Sequence, residues 1–431
     1  MANYLTRPYW WDAAEPHLSV AASSPDNLPK HVETLIVGAG YSGLSAALTL
    51  ARSGREVLVV DAEMPAYGCS SRNGGLIGPS FHKLGLSGLK SAFGQEKATA
   101  ILRESMDCLK YLKNFLVEEK IDCGLHLTGR FRGVVKPEGY ESVARESEDL
   151  ASATGMQFEM IPRAAQHAEI GSDHYHGGVV YLDDGHLHPG LYARALVERV
   201  LVAGAQIIAP ARVTGVTRNG AKLTVRIGET EVTAGQVLVA TNGYSGPEMP
   251  FFHHRVIPIR SAIIATEQLP AGLMSELSPK NRGFGESSRL VLYYRPSPDG
   301  TRMIFGGRAF DLADRPDRYV PDLRRMMHRI FPQLSDTQVT HAWSGTVAYT
   351  FDHAPHLGVH DGVHYVMGYC GSGVGRASYF GRKVALQMLG DPEGRTELDD
   401  LSFESKPFYN GTPWFLPAFL RWNSMMDRFG L

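Results

Sequence analysis

The spacing of apolar residues changes abruptly between positions 34 and 61. An apolar run at 35–37 is followed by a glycine-rich turn, and apolar residues then recur at helical spacing over 44–51. A second apolar run, 57–60, stops at an acidic residue, Asp61. This pattern predicts a strand, a tight turn, a helix and a second strand beside the first.

The turn carries Gly38, Gly40 and Gly43 in a GxGxxG arrangement. In a dinucleotide site such glycines make the turn, admit a pyrophosphate and let the helix lie close to the sheet. The helix N-terminus favours negative charge, and an acid such as Asp61 accepts hydrogen bonds from a ribose. The motif therefore predicts a dinucleotide site that fits either NAD or FAD. The alternative is a strand–helix–strand unit whose glycines serve only close packing.

The remaining pattern alternates amphipathic helices with a long β-rich stretch. It predicts helices over 98–120, 190–203, 323–331 and 376–389. It predicts strands over 125–135, 179–182, 205–208, 212–216, 222–227, 236–240, 255–266, 290–295, 303–307 and 363–367. Residues 296–300 have the composition of a hairpin turn.

The composition narrows the class of protein. The 431 residues include 43 basic and 45 acidic side chains, so neither nucleic acid nor an anionic membrane is indicated as a partner. The four cysteines form no CxxC pair, and the histidines lack clustered ligand partners. We therefore expect no metal site and a reduced, cytoplasmic protein. No segment has the pattern of a leader or of a membrane-spanning helix.

Two further glycine-rich segments extend the motif. YGCSSRNGG follows the acid at 67–75, and GYCGSGVG precedes the last predicted helix at 368–375. Together with the GxGxxG unit they resemble the D-amino-acid-oxidase-like family of FAD enzymes, which includes sarcosine oxidase and glycine oxidase. The 67–75 segment is similar to that of the gamma-glutamylputrescine oxidase branch. The resemblance covers most of the chain and implies FAD as the cofactor.

The resemblance also implies how FAD is held. The first helix N-terminus takes the pyrophosphate, the backbone of Val213 lies near the adenine, and the 368–375 loop lies at the pyrimidine edge of the flavin. Backbone amides aimed at that edge stabilise the negative charge that develops there. The expected cofactor-binding residues are Gly38, Gly40, Tyr41, Ser42, Gly43, Asp61, Ala62, Cys69, Ser70, Ser71, Arg72, Asn73, Gly74, Gly75, Val213, Thr241, Gly371, Ser372, Gly373 and Val374. For Arg72 and Asn73 the alternative is a turn that caps the neighbouring helix.

The family resemblance implies an α/β (α+β) fold in which a Rossmann-like FAD-binding domain is interleaved with a mainly antiparallel substrate domain. The expected FAD domain comprises 31–110, 176–250 and 341–392, and the expected substrate domain comprises 111–175 and 251–340. Residues 1–30 are expected to be an extended lead-in packed on the surface and held by Trp10 and Trp11. Residues 393–431 form an aromatic segment that covers the FAD domain or closes a channel, with contact to a membrane or a partner as the alternative.

Two departures from sarcosine oxidase bear on the cofactor and the substrate. The segment that attaches FAD covalently in that enzyme reads VAYT at 347–350 here, so no thiol is available and we expect non-covalent FAD. The lysine that anchors the substrate carboxylate falls on Gly375, beside Arg376. Sarcosine oxidase has a lysine over the flavin that helps oxygen accept an electron, and the matching place here holds Met303 and Ile304. Lys83 is the candidate to replace that lysine.

Several side chains outside the motifs are candidates for catalysis and substrate binding. The candidate catalytic residues are Tyr294, Tyr349 and Lys83. The candidate substrate-binding residues are Trp343, Arg260, Arg308 and Arg376. The alternative for the aromatic residues is a place in the core, the alternative for Arg260 and Arg308 is salt bridges within the sheet, and Arg376 could equally be a solvated residue at a helix start.

The resemblance implies that the chain oxidises a C–N bond in an amine or amino acid by hydride transfer to flavin N5, giving an imine that hydrolyses. Oxygen is the expected acceptor, with H2O2 as product. The missing carboxylate anchor favours a longer, gamma-glutamylputrescine-like amine. The alternatives are a sarcosine-, proline- or pipecolate-type oxidase, or a dehydrogenase that passes electrons to a quinone or an electron-transfer protein. A more distant alternative is a flavin-binding module that is not catalytic.

Overall fold

The protein is described here by a computed structural model that covers residues 4–14, 25–220, 222–288, 291–309 and 313–429. The helices in these ranges are α1 Tyr9–Ala13, α2 Tyr41–Arg52, α3 Gly85–Phe93, α4 Gln95–Glu118, α5 Tyr140–Thr154, α6 Pro189–Val202, α7 Pro250–His253, α8 Leu273–Leu277, α9 Pro316–Ile330, α10 Gly373–Leu389 and α11 Leu416–Phe429. The strands are β1 His31–Val37, β2 Val57–Val60, β3 Leu76–Ile77, β4 Arg130–Gly133, β5 Phe158–Ile161, β6 Gly178–Tyr181, β7 Gly185–His186, β8 Gln206–Ile208, β9 Val213–Asn219, β10 Lys222–Ile227, β11 Thr230–Val239, β12 Ile257–Thr266, β13 Gly283–Glu286, β14 Leu292–Pro296, β15 Met303–Arg308, β16 Val339–Tyr349, β17 His356–His360 and β18 Val363–Met367.

The first sheet is built around the strand–turn–helix–strand unit that the sequence predicts. Its order is β17-β18-β11-β1-β2-β8, with β9 and β10 attached to β11. The neighbours from β18 to β8 run parallel, and β17 is antiparallel at the edge. Ile36 and Val59 pack into a core with the helices, whereas Leu35 and Leu58 pack into a second core on the opposite face. Both faces are therefore buried, which explains the continuous apolar runs.

The second sheet is mainly antiparallel, as predicted. Its order is β16-β12-β15-β14-β13-β4-β6-β5, and only the β4–β13 pair is parallel. Phe284, Phe305 and Leu323 belong to one core that joins this sheet to α9. The hairpin at 296–300 connects β14 to β15, with the Gly300 amide donating to the Ser297 carbonyl oxygen.

Sheet membership moves three of the expected segment boundaries. β6 and most of β16 lie in ranges expected to belong to the FAD domain, but both strands are part of the second sheet. The boundary expected between 110 and 111 falls inside α4, whose buried residues Leu109 and Leu112 pack in the core of the first sheet. A helix whose whole apolar stripe serves one core cannot be divided between two domains.

The element pattern differs from the prediction mainly at polar and glycine-rich segments. β16 was not expected as a strand because Ser344, Gly345 and Thr346 interrupt its apolar alternation. α10 begins at Gly373 rather than at Arg376, since glycines weaken the helical signal without preventing the helix. The strand expected over 125–135 is reduced to the four residues of β4. Leu290, expected in a strand, lies outside the described residues.

The beginning of the chain is more deeply integrated than a surface lead-in. Residues 9–13 form the short helix α1, and Trp10 is fully buried. The Trp10 indole Nε1 donates to the Asn73 carbonyl oxygen at 2.8 Å, and the Trp11 Nε1 donates to Ser71 Oγ at 2.9 Å. The expectation of a surface segment is wrong for these residues, because both indoles hold the 69–75 loop. Residues 1–3 and 15–24 lie outside the described residues.

The last helix, α11, buries only part of its apolar surface. Leu416 and Leu420 are buried, whereas Phe419 and Trp422 are more than half exposed. No helix among the described residues is both long enough and apolar enough to cross a membrane.

Replacing Trp10 by Phe should destabilise the protein by about 1–3 kcal/mol. The substitution leaves the partly buried Asn73 carbonyl without its donor and removes part of a fully buried ring. Thermal unfolding measures the change. Trp422→Phe is the matched control, since an exposed indole should change stability by less than about 0.5 kcal/mol. Equal melting temperatures for the two variants would contradict the role of Trp10.

Candidate cofactor and substrate cavity

A single continuous cavity of about 460 Å³ is lined by residues of both sheets. One part of its wall comes from the β1–α2 turn, the end of β2, the 66–78 loop and the segment after β11. Another part comes from the second sheet, with Ser261 on β12, Tyr293 on β14 and Arg308 on β15. A ligand that fills the first part therefore extends towards the second sheet.

The glycines of the β1–α2 turn permit contacts that no larger residue allows. Gly38 has φ +107°, and a Cβ atom there would lie 2.9 Å from the Ala240 carbonyl oxygen. A Cβ atom at Gly43 would lie 1.9 Å from the Gly38 carbonyl oxygen. Helix α2 consequently approaches the turn closely, and its N-terminal residues Tyr41 and Ser42 line the cavity.

Asp61 closes the same turn from the end of β2. Its Oδ2 accepts the Ala39 amide at 2.7 Å, and its Oδ1 accepts the Glu63 amide at 3.0 Å. Burial raises the pKa of Asp61, and the two amide donors oppose that rise. The carboxylate also lines the cavity, so it combines a structural role in the turn with a position where a ribose hydroxyl can donate to it.

The 69–75 loop is held by its own side chains. Ser70 Oγ accepts the Tyr41 amide at 3.0 Å, which ties the loop to the start of α2. Asn73 Nδ2 donates to the carbonyl oxygen of Ser70 at 2.8 Å, and Asn73 Oδ1 accepts the Gly75 amide. The Arg72 guanidinium lies against the rings of Trp11 and Tyr67, 4.7 and 4.4 Å from their centroids. Arg72 and Asn73 therefore both shape the loop and line the cavity.

The second glycine loop brings another helix N-terminus to this cavity. Gly371 to Val374, at the start of α10, line the wall. A Cβ atom at Gly381 would lie 2.3 Å from the Ser42 carbonyl oxygen, so α10 and α2 cross at close range. Tyr369 reinforces the contact with a hydrogen bond of 2.6 Å between its hydroxyl and Ser42 Oγ. Two helix N-termini therefore face one space, where negative charge is favoured.

Most residues expected to bind the cofactor lie in this wall. Gly43 and Ser71 do not: Gly43 packs against the turn, and the Ser71 hydroxyl donates to the Ala66 carbonyl oxygen at 2.7 Å. The residues that line the cavity are Gly38, Gly40, Tyr41, Ser42, Asp61, Ala62, Cys69, Ser70, Arg72, Asn73, Gly74, Gly75, Val213, Thr241, Gly371, Ser372, Gly373 and Val374.

The second-sheet part of the cavity carries polar and cationic groups. The Tyr293 hydroxyl lies 2.9 Å from Ser261 Oγ, and burial raises the pKa of Tyr293 to about 12. Arg308 Nη2 donates to the Tyr349 hydroxyl at 2.5 Å. A Cβ atom at Gly371 would lie 3.4 Å from Arg308 Nη2, so this arginine lies beside the second glycine loop.

Lys83 also lines the cavity, and it is an exposed residue. Desolvation, together with the nearby cations Arg308 and Arg130, lowers the pKa of Lys83 to about 8. Its ammonium group has no hydrogen-bond or ion-pair partner among the described residues. It is therefore available to a ligand.

Besides Arg308 and Lys83, the sequence offers five candidate catalytic or substrate-binding residues. Three of these five are buried in the interior of the protein and do not line the cavity. Tyr294 stacks between Phe284 and Phe305, at centroid distances of 5.2 and 5.1 Å, because neighbouring strand residues point to opposite faces. Trp343 is buried and its Nε1 donates to the Arg72 carbonyl oxygen. Arg376 is buried against α4, where its Nη2 donates to Ser105 Oγ at 3.0 Å.

The other two candidates lie near the cavity without lining it. Arg260 Nη1 donates to Ser344 Oγ at 2.8 Å. Tyr349 bonds to Arg308, which lines the cavity, and its hydroxyl would lie 3.5 Å from a Cβ atom at Gly371. For Tyr294, Trp343, Arg260 and Arg376 a direct substrate contact is thus corrected to a structural position.

Some cavity residues carry no motif that the sequence pattern could reveal. Arg130, Asp184 and Ser261 are isolated polar residues in different segments, and only sheet pairing brings them to one wall. Tyr293 could have been preferred over Tyr294 only if the face of β14 that meets the cavity had been known.

Comparisons with known proteins agree with this architecture. A family model described as DAO, FAD dependent oxidoreductase, matches residues 33–387. The chain is 31% identical over 426 residues, 97% of each protein, to a probable oxidoreductase OrdL of Rhizobium meliloti. It is 28% identical over 367 residues, 84% of each, to gamma-glutamylputrescine oxidoreductase of Escherichia coli. Among solved structures, glycine oxidase from Geobacillus kaustophilus has a TM-score of 0.73 at 17% identity, over 88% of this chain and 99% of that one.

The geometry of the cavity fits FAD. The β1–α2 turn leaves space where side chains would close it, two helix N-termini offer amides to phosphate and to the flavin, and Asp61 stands at the ribose position of the motif. The fit supports the cofactor that the family model describes.

Asp61→Ala should weaken FAD binding on the order of ten- to a hundred-fold. The change removes a charged acceptor worth roughly 1.5–3 kcal/mol, and it also frees the Ala39 amide that shapes the turn. Titration of the apoprotein with FAD, followed by flavin fluorescence, measures the dissociation constant. The affinity of Asp61→Asn for FAD should lie between those of the wild type and Asp61→Ala, because asparagine keeps one oxygen acceptor. Unchanged affinity in Asp61→Ala would remove the acid from the site.

FAD should be released when the protein is denatured in acid. Val347 lines the cavity at the position expected for covalent attachment, and it has no nucleophilic atom. Burial raises the pKa of the Cys69 thiol, which also lines the cavity, to about 11, so little reactive thiolate forms at neutral pH. After precipitation the supernatant should be yellow and the washed pellet colourless. A pellet that remains yellow would show a covalent link.

Proposed function

The chain belongs to the DAO family of FAD-dependent oxidoreductases, and we propose that it oxidises a C–N bond in an amine or an amino acid. The observation that carries this proposal is the single cavity shared by the dinucleotide motif and the polar face of the second sheet. A substrate held by Ser261, Tyr293 or Arg308 lies next to the space that the two helix N-termini enclose. Such an arrangement suits direct transfer from substrate to cofactor.

The residues that would hold FAD are those of the two glycine loops and Asp61. The flavin supplies the acceptor for the hydride that leaves the carbon beside the substrate nitrogen. The amides at the start of α10 stabilise negative charge in the space that they face. The chain therefore contributes binding, orientation and electrostatic stabilisation.

The cavity wall also controls water and charge. Val291, Val347 and Tyr293 provide apolar surface beside the polar groups, which limits the access of water to an imine product before release. The substrate amine must be unprotonated at its nitrogen to give up hydride from the adjacent carbon. The cations Lys83 and Arg308 favour that neutral form, because like charges disfavour an ammonium group.

The leading substrate class is a longer amine of the gamma-glutamyl-conjugated or polyamine type. The 28% identity to gamma-glutamylputrescine oxidoreductase, over most of both chains, supports this choice. Gly375 offers no cation where sarcosine oxidase has its carboxylate anchor, and the neighbouring Arg376 is directed away from the cavity.

The second candidate is an amino acid oxidase or dehydrogenase. Arg308 and the Tyr349 hydroxyl favour this alternative, because a guanidinium beside the second glycine loop can anchor a carboxylate close to the reacting carbon. Similarity to glycine oxidase of Bacillus subtilis, at 21% identity over 77% of this chain, is weaker support.

The two candidates predict different substrate preferences. We expect kcat/KM for gamma-glutamylputrescine to exceed that for sarcosine, glycine and proline by at least about tenfold, a difference of about 1.4 kcal/mol in transition-state binding. Anaerobic mixing with each compound, followed by bleaching of the flavin absorbance, measures this without assuming an acceptor. If an amino acid is the best substrate and Arg308→Met abolishes its advantage, the second candidate is correct.

We further propose oxygen as the electron acceptor, with Lys83 as the cation that assists it. Met303 and Ile304, at the place of the oxygen-activating lysine of sarcosine oxidase, are buried in β15 and do not line the cavity. Among the described residues, Lys83 is the lysine that lines the cavity. Reduced enzyme mixed with air-saturated buffer should reoxidise faster than free reduced flavin, and Lys83→Met should slow the reaction. A rate no faster than that of free flavin would favour a dehydrogenase with another acceptor.

A further inference from the structure

Two cavity cations have donors that no protein group uses. Arg130, on β4, uses its Nε atom in a bond to Asp184, and its two Nη atoms have no hydrogen-bond partner among the described residues. The Lys83 ammonium is likewise without a partner in the described part of the chain. Lys83 is exposed and Arg130 is partly exposed, so an anionic ligand in the cavity can accept hydrogen bonds from their unused donors.

Asp184 fixes the direction of the Arg130 side chain. Its Oδ2 lies 2.7 Å from Arg130 Nε, and its carboxylate is almost completely buried. A Cβ atom at Gly78 would lie 2.5 Å from Asp184 Oδ1, so the 76–78 segment packs directly on this carboxylate. One buried aspartate balances one of the three positive charges that Lys83, Arg130 and Arg308 bring to the cavity wall. The imbalance leaves an excess of positive charge.

The position of Arg130 separates it from Arg308. In the second sheet β4 lies three strands from β15, which corresponds to roughly 14 Å at about 4.8 Å between neighbouring strands. Arg308 lies beside the second glycine loop. The charges of both arginines lower the pKa of Lys83. The cavity therefore carries cations at two separate places along the second sheet, with Arg308 beside the second glycine loop and Arg130 three strands away.

We propose that Arg130 forms a carboxylate-binding subsite for the end of the substrate remote from the reacting C–N bond, with Asp184 as the positioning residue. This inference rests on the proposed function and specifies its substrate class: a long amine that ends in a carboxylate. The two free Nη atoms of Arg130 match the paired oxygens of a carboxylate. An uncharged or purely cationic amine lacks these contacts.

Two amines that differ only at the remote end test the subsite. N-glutarylputrescine carries a terminal carboxylate where N-pentanoylputrescine carries a methyl group, and both have the same reacting amine. With wild-type holoenzyme, kcat/KM for flavin reduction should be at least tenfold higher for the glutaryl compound. Arg130→Met should reduce that ratio to within about twofold of unity and act mainly through KM. Arg130→Lys should restore part of it.

Arg132→Met provides the matched control. Arg132 is on the same strand, pairs with Glu146 and does not line the cavity, so its loss should leave the ratio unchanged. Arg130→Gln supplies a second test if Arg130→Met fails to fold, and it should lower the same ratio. Asp184→Asn should lower the ratio less than Arg130→Met, since it loosens the arginine without removing it.

A binding measurement makes the subsite testable apart from turnover. Glutarate should perturb the visible spectrum of oxidised wild-type holoenzyme, with a dissociation constant at least fivefold lower than in Arg130→Met, whereas neutral glutaramide should bind equally to both. Equal kcat/KM for the two amines in the wild type, or equal loss for both in Arg130→Met, overturns the subsite and leaves the proposed function intact. If no amine reduces the flavin, the proposed function fails, and the glutarate titration still decides the subsite.

Discussion

The close crossing of α2, α10 and the β1–α2 turn is the constraint on which the site depends. Gly43 brings α2 against the Gly38 carbonyl, and Gly381 brings α10 against Ser42. Each contact is too short for a Cβ atom, so a larger residue at either glycine would push its helix outwards. That shift would separate the two N-termini. Because both N-termini remain at one cavity, the amides of two helices act on the same ligand.

The second requirement is that the 69–75 loop keeps its shape without belonging to a sheet. Backbone groups of the loop find partners in its own Asn73 side chain, and the loop is tied to α2 by Ser70 and to α1 by Trp10. These tertiary hydrogen bonds replace the ladder that a strand would provide. A segment near the start of the chain thus becomes part of the cofactor site, although it precedes the first strand.

Electrostatics divides the cavity into two regions. Near the β1–α2 turn, Asp61 is satisfied by two backbone amides and presents an acceptor. Along the second sheet, cations exceed the buried counter-charge of Asp184. The first arrangement suits the hydroxyl groups of a nucleotide, and the second suits an anionic substrate group and disfavours protonation of an amine. Position within one cavity therefore separates cofactor recognition from substrate recognition.

The sequence determined by itself the features that arise from local pattern. The apolar runs, the GxGxxG turn, the helical spacing after it and Asp61 define the β1–α2–β2 unit, because strand, turn and helix each have a short-range signature. The 67–75 and 368–375 segments identified the family, which the match over residues 33–387 confirms. Most residues expected at the cofactor line the cavity for the same reason, since their motifs are continuous in sequence.

The tertiary structure alone decided which isolated side chains meet the cavity. Tyr293 reaches it and Tyr294 does not, since the orientation of β14 relative to the cavity decides which of two adjacent residues faces inwards. Arg376 follows the glycine loop in sequence, but helix α10 rotates its side chain towards α4. Arg130, Asp184 and Arg308 come from segments more than 50 residues apart and meet through sheet pairing and loop packing, which leave no local mark in the sequence.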